Sequence, residues 1–342
     1  MDVTSFSSLG GPHPQRGVGV VAPFDFALDR ELWRWVPDEV SLHLTRTPYV
    51  PVEVSLDLAR LVSEHETLAE AVRALTAAEP EVLAYACTSG SFVGGIAGER
   101  AMCEAMTREG AVASVTTSGA LLEALEELDA RRIALVTPYT WSVTQSLEEY
   151  LSEAGVSVVG RAYLGLTRHI WKVPYRDVAD MARRAANGPV DALFISCTNL
   201  PTYDVIPQLE AELRMPVISA NQVTMWSALR RLGTRAVGPY QALINAGARP
   251  GAAEFGVLDA LPAPAYESAD QPSYEVYDVY EALEPSAGAV GGPAVTDAAV
   301  PPITAGPPTA APADNLPDPP GGPAGPGEAT GPAGPTAEGG WT

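Results

Sequence analysis

The sequence predicts an α/β fold of two pseudosymmetric lobes, each a mostly parallel four-stranded sheet flanked by helices, with the active site between the lobes. Short apolar segments alternate with amphipathic ones, which is the pattern of strands covered by helices on both faces. This alternation occurs twice along the chain. A cysteine follows the third apolar segment of each half, Cys87 in the first and Cys197 in the second. Ligands of open α/β proteins bind at that carboxyl edge of the sheet.

The first half contains four short apolar segments that we predict to be strands, with amphipathic segments between them that we predict to be helices. The strands are 17–22, 39–44, 81–86 and 112–116, and the helices are 55–75 and 96–110.

The second half repeats this order. Strands are predicted at 132–137, 156–160, 191–196 and 216–220, and helices near 142–154, 175–187, 203–214 and 222–233. The two cysteines have similar neighbours, because a small residue precedes each of them and a threonine follows: Ala86-Cys87-Thr88 and Ser196-Cys197-Thr198. We therefore expect a pseudo-twofold relation between the lobes, with both thiols facing one cleft.

The domain boundaries follow from composition. Residues 1–16 are predicted to be a flexible N-terminus and 17–248 a two-lobed catalytic domain, with lobe 1 at about 17–117 plus 221–245 and lobe 2 at about 118–220. From residue 251 onward there is no Lys or Arg, but 13 of the 42 acids and 17 of the 32 prolines. Such a segment buries too little apolar surface to offset its ordering entropy, so 249–342 is predicted to be an acidic, Pro/Gly/Ala-rich disordered tail. Within it, 272–283 is a candidate docking helix.

Composition also argues against several classes of function. The net charge is −21 and Lys172 is the one lysine, so we expect no nucleic-acid partner. No apolar run reaches the roughly 18–20 residues that span a bilayer, so we expect no membrane association. The N-terminus lacks the regions of a signal peptide, and three scattered cysteines form no disulfide framework. A cytoplasmic location is therefore predicted.

Motifs for metals and common cofactors are absent from the sequence. The four histidines lack metal-ligand spacing, and neither GxGxxG nor GK[ST] occurs. We expect no metal and no cofactor. The expected partner is a small carboxylic acid, and homo-oligomer formation is left open.

The turn after the third strand carries the first group of candidate site residues. The hydroxyls of Thr88 and Ser89 and the backbone amides beside them suit a bound carboxylate. The same surroundings are expected to favour the thiolate of Cys87 over its thiol. The alternative is a buried structural cysteine in a tight turn.

The second half supplies a matching group. Cys197, Thr198 and Asn199 repeat the arrangement of the first turn, and Tyr139 follows the strand that opens this half. The Tyr139 phenol could donate to a bound carboxylate or to a developing oxyanion. Arg168 and His169 lie in the 161–173 loop. The sequence leaves open whether their side chains reach the site or are solvated. Cys103 lies within a predicted helix, where we expect it to be core packing.

The segments around Cys87, Tyr139 and Cys197 resemble the maleate cis-trans isomerase family, which belongs with the arylmalonate decarboxylases and the aspartate/glutamate racemase superfamily. The resemblance covers about residues 16–235. It implies that Cys87 is the nucleophile and that Cys197 handles the proton. It further implies that the substrate carboxylate is held by Thr88, Ser89, Tyr139 and the backbone of Thr198 and Asn199.

Two features of this sequence bear on the reaction. Arylmalonate decarboxylases have glycine at the position of Cys87, so two thiols favour an isomerase or racemase. The loop at 22–27 lacks the asparagine that maleate isomerases carry there, and Phe24, Phe26 and Trp171 would make a more apolar pocket. The leading hypothesis is a cofactor-independent cis-trans isomerase of a small unsaturated dicarboxylic acid. The alternatives are a racemase or arylmalonate-type decarboxylase, and a non-catalytic acid-binding or scaffold protein.

Overall fold

The first lobe is built on a parallel four-stranded sheet. The computed structural model describes residues 15–246 and the backbone of Tyr277 and Asp278. The strands of the first sheet are β1 (Arg16–Ala22), β2 (Val40–Arg46), β3 (Val82–Tyr85) and β4 (Ala113–Thr116). They lie in the order β2-β1-β3-β4, and every neighbouring pair is parallel.

The second lobe repeats that topology. Its strands are β5 (Arg132–Thr137), β6 (Ser157–Tyr163), β7 (Ala192–Ile195), β8 (Val217–Ser219) and β9 (Tyr277–Asp278), in the order β8-β7-β5-β6-β9. In each sheet the first strand of the lobe lies between the second and the third, and the fourth lies outside the third. The predicted fold of two pseudosymmetric parallel sheets is therefore confirmed, with β9 added antiparallel to β6.

Helices cover both faces of the sheets. Those of the first half are α1 (Asp29–Trp33), α2 (Leu56–Val62), α3 (His65–Thr76), α4 (Thr88–Phe92), α5 (Gly95–Gly110) and α6 (Thr117–Glu127). Those of the second half are α7 (Trp141–Glu153), α8 (Tyr175–Ala185), α9 (Ile206–Leu213), α10 (Ala220–Arg231) and α11 (Ala242–Ala246), with a 3-10 turn at Ile170–Lys172. The sequence did not predict α1, α4, α6 or α11.

The single helix predicted at 55–75 is wrong, because two helices occupy this segment. The Ser55 side chain caps α2 by accepting from the Leu58 amide at 3.2 Å, and Glu64 begins α3 with extended backbone angles. The break after Val62 frees its carbonyl from helical bonding, and that carbonyl accepts instead from the Tyr85 hydroxyl at 2.8 Å.

The helices that follow the last strand of each sheet join the lobes. α6 and α10 pack against each other, and α10 also contacts β3 and β4. A buried hydrogen bond of 2.8 Å links the hydroxyls of Thr117 and Thr224 across this contact. One continuous apolar core contains side chains from both sheets.

A buried carboxylate on α1 forms a second link between the lobes. Glu31 accepts from the Thr202 amide at 3.0 Å and from its hydroxyl at 2.9 Å, and the Asn221 side chain donates to it at 3.1 Å. Burial raises the pKa of Glu31 although these hydrogen bonds oppose the rise. Such a group is tolerated inside a protein only when it has hydrogen-bond partners.

The segment after residue 246 is described only at β9. Tyr277 and Asp278 are extended, so the docking helix predicted at 272–283 is wrong at these two positions. The rest of the predicted tail and most of the N-terminal segment lie outside the described residues, and the domain boundaries stay predictions. None of the described helices is both long enough and apolar enough to span a membrane.

Gly160 marks an irregular point in β6. The pairing of β5 with β6 shifts register between Ile133 and Ala134, and Gly160 is the partner of Ala134. A Cβ at Gly160 would overlap the backbone carbonyl oxygen of Ala185 at the end of α8. Glycine therefore allows α8 to pack closely on this strand.

Replacing Gly160 with alanine should destabilise the protein by about 1–3 kcal/mol, because the clash is with backbone rather than with a flexible side chain. Gly98 is the matched control, since a Cβ there meets no atom within 4 Å. Gly98→Ala should be neutral or stabilise by up to about 1 kcal/mol through helix propensity. Urea unfolding of both variants measures the difference, and equal midpoints would contradict the role given to Gly160.

Candidate active site

A small cavity lies between the lobes at the carboxyl ends of β3 and β7. Its enclosed volume is about 30 Å³, and the atom-free space is about 400 Å³ when the opening to solvent is included. Every candidate site residue from the sequence lines it: Cys87, Thr88, Ser89, Tyr139, Cys197, Thr198 and Asn199. The structure thus brings together residues from two turns and one strand end that are far apart in the chain.

Cys87 lies at the junction of β3 and α4. It precedes the first residue of α4, with extended backbone angles, and the residue is 5% exposed. Its Sγ is 3.9 Å from the Ser89 hydroxyl. A Cβ at Gly90 would overlap the Tyr85 hydroxyl and approach Cys87 Sγ to 3.2 Å. Glycine at this position therefore leaves room for both the Tyr85 hydroxyl and the Cys87 thiol beside the backbone.

The expectation that the surroundings favour the Cys87 thiolate is wrong. Burial raises the pKa of Cys87 above its ordinary value, and the negative charge of Asp25 adds to the rise. The Gly90 amide and the Ser89 hydroxyl oppose it without cancelling it. Desolvation penalises the charged form and dominates here, because Cys87 is almost fully buried.

Cys197 occupies the equivalent turn in the second lobe with a strained backbone. Its φ is 85°, a left-handed conformation that costs energy for a residue with a side chain. The Asn199 amide donates to its Sγ at 3.4 Å. Burial raises the pKa of Cys197 to about 12, although hydrogen bonds from Tyr139 and the Asn199 amide lower it. The group is therefore a neutral thiol near pH 7.

Tyr139 and Thr88 contribute two further hydroxyls. Tyr139 follows β5 and is buried, and burial together with Cys197 raises its pKa well above the ordinary value. Thr88 is 1% exposed, and its hydroxyl has no hydrogen-bond partner among residues 15–246. A buried hydroxyl without a partner is costly, so one that lines a cavity is suited to a ligand.

The Asn199 side chain ties the two lobes together at the cavity. Its Nδ2 donates to the Asp25 carbonyl at 2.9 Å, and its Oδ1 accepts from the Ala27 amide at 3.0 Å. The side chain thus holds the loop after β1 in place, while the Asn199 backbone amide points to Cys197. Sequence reasoning had assigned only the backbone of this residue.

Several lining residues were not predicted. Asp25 and Pro23 come from the loop after β1, and an apolar wall is formed by Val54, Leu58, Val62 and Ile170. The position of Asp25, three residues beyond the first strand, is a signal that could have identified it, because that loop lies at the same sheet edge as the cysteines. The wall residues carry no comparable signal.

The prediction that Phe24, Phe26 and Trp171 line the pocket is wrong. Phe24 packs edge-on against Tyr49 at 5.2 Å, Phe26 is buried in the core, and Trp171 is 42% exposed. None of them lines the cavity, whose apolar wall is aliphatic.

The remaining candidates lie elsewhere. Arg168 forms an ion pair with Glu53, and neither Arg168 nor His169 lines the cavity. Cys103 lies in α5, as predicted, but it is only partly buried, and its thiol donates to the Ser114 carbonyl at 3.1 Å. Within the described ranges no group of three or more His, Cys, Asp or Glu side chains could hold a metal ion.

Comparison with known proteins agrees with this fold. Residues 60–242 match the family model described as arylmalonate decarboxylase. The maleate isomerase of Nocardia farcinica is 32% identical over 230 residues, which are 64% of this chain and 90% of that protein. The arylmalonate decarboxylase of Bordetella bronchiseptica is 32% identical over 172 residues, 49% of this chain and 72% of that one.

A solved structure with a similar fold carries a covalent adduct. It is a cysteine-to-serine mutant of the Nocardia farcinica maleate cis-trans isomerase with a covalently bound succinylcysteine intermediate. Its TM-score is 0.61 at 27% identity, covering 67% of this chain and 98% of that one. Fold and site define a two-lobed α/β protein with a cysteine from each lobe at one cavity. The chain belongs to the family of arylmalonate decarboxylases and maleate isomerases.

The Ser89→Ala substitution should raise the pKa of Cys87 further, because it removes the hydroxyl 3.9 Å from Sγ that opposes the effect of burial. The pH midpoint of iodoacetamide alkylation, followed on the Cys87 peptide by mass spectrometry, measures this since the thiolate is the reactive form. Tyr150→Phe is the control, since it too removes one hydroxyl: that of Tyr150 has no partner in the described part of the chain and lies outside the cavity. An unchanged midpoint in Ser89→Ala would contradict the prediction.

Proposed function

We propose that the chain is a cofactor-independent cis-trans isomerase of a small unsaturated acid of the maleate type. The observation that carries this proposal is that Cys87 and Cys197, one from each lobe, line one cavity with hydroxyl groups suited to a carboxylate. One thiol can act as nucleophile while the other handles a proton, so the cavity itself supplies the groups that the reaction needs.

Cys87 is the proposed nucleophile. Its thiolate attacks one carbon of the double bond and forms a C–S bond, and the π electrons pass to the neighbouring carbon and its carboxylate. Although burial makes this thiolate a minor species, two donors beside Cys87 stabilise it: the Gly90 amide and the Ser89 hydroxyl. A thiolate is both a strong nucleophile and a good leaving group, which suits reversible addition.

Cys197 is the proposed acid and base. With a pKa near 12 it keeps its proton at neutral pH and can deliver it to the carbanion carbon. Rotation about the new single bond, return of that proton to the Cys197 thiolate and loss of the Cys87 thiolate give the trans isomer. The double bond is restored, and both thiols return to their starting protonation states.

Hydroxyl and amide donors are proposed to stabilise the negative charge that develops on the enediolate oxygens. Thr88 has an unpartnered hydroxyl, Tyr139 lies beside Cys197, and Ser89 lies beside Cys87. Donors fixed in advance and aimed at a developing oxyanion in a dry site stabilise the transition state strongly. The succinylcysteine adduct of the Nocardia farcinica mutant is what thiol addition to such a double bond produces, and it supports this chemistry for the present chain.

A second candidate reaction is racemisation or decarboxylation of an α-substituted acid at the same cavity. The aliphatic wall of Val54, Leu58, Val62 and Ile170 would accommodate an apolar substituent, which favours this candidate. The two thiols would then act as acid and base on opposite faces of the α-carbon. Solvent deuterium appearing at the α-carbon without any cis-trans conversion would select it over isomerisation.

Cys87→Ser and Cys197→Ser should each lower the isomerisation rate by about 10²–10⁴-fold, because each removes a group that takes part in bond formation or proton transfer. Cys103→Ser should stay close to the wild-type rate, since Cys103 lies outside the cavity. Proton NMR in deuterated water on maleate, its monoamide, arylmalonates and amino acids measures all three reactions together. Retention of most turnover in either cavity variant would refute the two-thiol scheme.

A further inference from the structure

The cavity contains a carboxyl group that the proposed reaction does not use. Asp25 lies in the loop after β1, is partly buried and lines the cavity with Cys87 and Cys197. Burial raises the pKa of Asp25 above its ordinary value, and the ionised carboxyl in turn raises the pKa of both thiols. A ligand in contact with both sulfur atoms would therefore also lie near Asp25.

No positive charge balances this carboxyl at the cavity. The lining residues within the described part of the chain include no arginine, lysine or histidine. Arg46, on the strand beside this loop, is already engaged: it forms an ion pair with Asp29 at 2.6 Å and donates to the Phe26 carbonyl at 3.1 Å. The cavity therefore offers an anion only neutral donors.

The backbone around Asp25 is held in place by hydrogen bonds. The Asn199 side chain bonds to the Asp25 carbonyl and to the Ala27 amide, and the Phe26 amide donates to the Pro23 carbonyl at 3.0 Å. A loop fixed on both sides of Asp25 restricts how far its carboxyl can move when a ligand binds.

These constraints bear on the charge of the substrate. One carboxylate is accommodated by the hydroxyls of Thr88, Ser89 and Tyr139. A second carboxylate on a four-carbon acid would lie in the same small cavity as Asp25, and like charges at short distance in a dry site repel strongly. A neutral group with N–H donors would instead satisfy the Asp25 carboxylate, because an ionised carboxylate only accepts hydrogen bonds.

We propose that Asp25 is a specificity-determining residue, and that it selects a substrate with a single carboxylate and an uncharged hydrogen-bond donor, such as a primary amide, at the other end. This inference rests on the proposed function, since it assigns the substrate class of the same cavity. The substrate is then the monoamide of an unsaturated four-carbon diacid rather than the diacid itself. The carboxylate faces the hydroxyls, the double bond lies between the thiols, and the amide faces Asp25.

Binding of saturated analogues tests this assignment without requiring turnover. Succinate and its monoamide are compared by their protection of Cys87 from iodoacetamide in the full-length protein, with peptides resolved by mass spectrometry. At pH 8 the monoamide should protect at a concentration lower by about tenfold or more. Asp25→Asn removes the negative charge and should bring the two concentrations to within about threefold.

Asp57→Asn is the matched control, because Asp57 is a carboxylate on α2 whose side chain is 83% accessible and forms an ion pair with Arg60. It should keep the wild-type preference, and thermal melting verifies that each variant is folded. Equal or stronger protection by succinate in the wild type, an unchanged preference in Asp25→Asn, or no protection by either compound overturns the proposal.

Turnover distinguishes failure of the substrate assignment from failure of the isomerase proposal. If the wild-type protein isomerises maleate at the same rate as the monoamide, the role of Asp25 is overturned while the isomerase proposal stands. A preserved preference in the protection assay, with neither compound isomerised, supports the role of Asp25 and refutes the isomerase.

Discussion

The cavity exists because buried hydrogen bonds hold the first lobe against the second. The Asn199 side chain binds the loop that contains Asp25, and Glu31 accepts from Thr202 and Asn221. The residues in these pairs are between 171 and 190 positions apart in the chain. Leaving one buried partner unsatisfied costs about 1–3 kcal/mol, so the lobes have few alternative arrangements.

Burial then sets the chemistry of the cavity. Desolvation raises the pKa of Cys87, Cys197 and Tyr139 together, so all three are mostly neutral near pH 7. The break between α2 and α3 contributes to this environment, because it gives the cavity the side chain of Val62 and gives Tyr85 the carbonyl that orients its hydroxyl. The same small volume also brings the Asp25 carboxyl close to both thiols, which makes the charge of any ligand decisive.

Most of the fold could be predicted from local pattern. All eight parallel strands occur within a few residues of the apolar segments that predicted them, because a strand covered on both faces needs continuous apolar sequence. α6 was missed because it begins directly after β4, where Thr116 caps it without any intervening loop. The pairing of Tyr277 and Asp278 with β6 could not be predicted, since a two-residue strand carries no periodicity.

For the site, the sequence alone determined which residues lie at the carboxyl ends of the strands, and therefore that Cys87, Tyr139 and Cys197 share one edge of the molecule. Strand ends and turn residues are local properties that a few neighbouring side chains decide. The protonation of the thiols, the aliphatic wall and the position of Asp25 were decided by the tertiary structure. These depend on how much water the packed lobes exclude and on which distant loop is held against the site, and desolvation is a property of the whole fold rather than of any short segment.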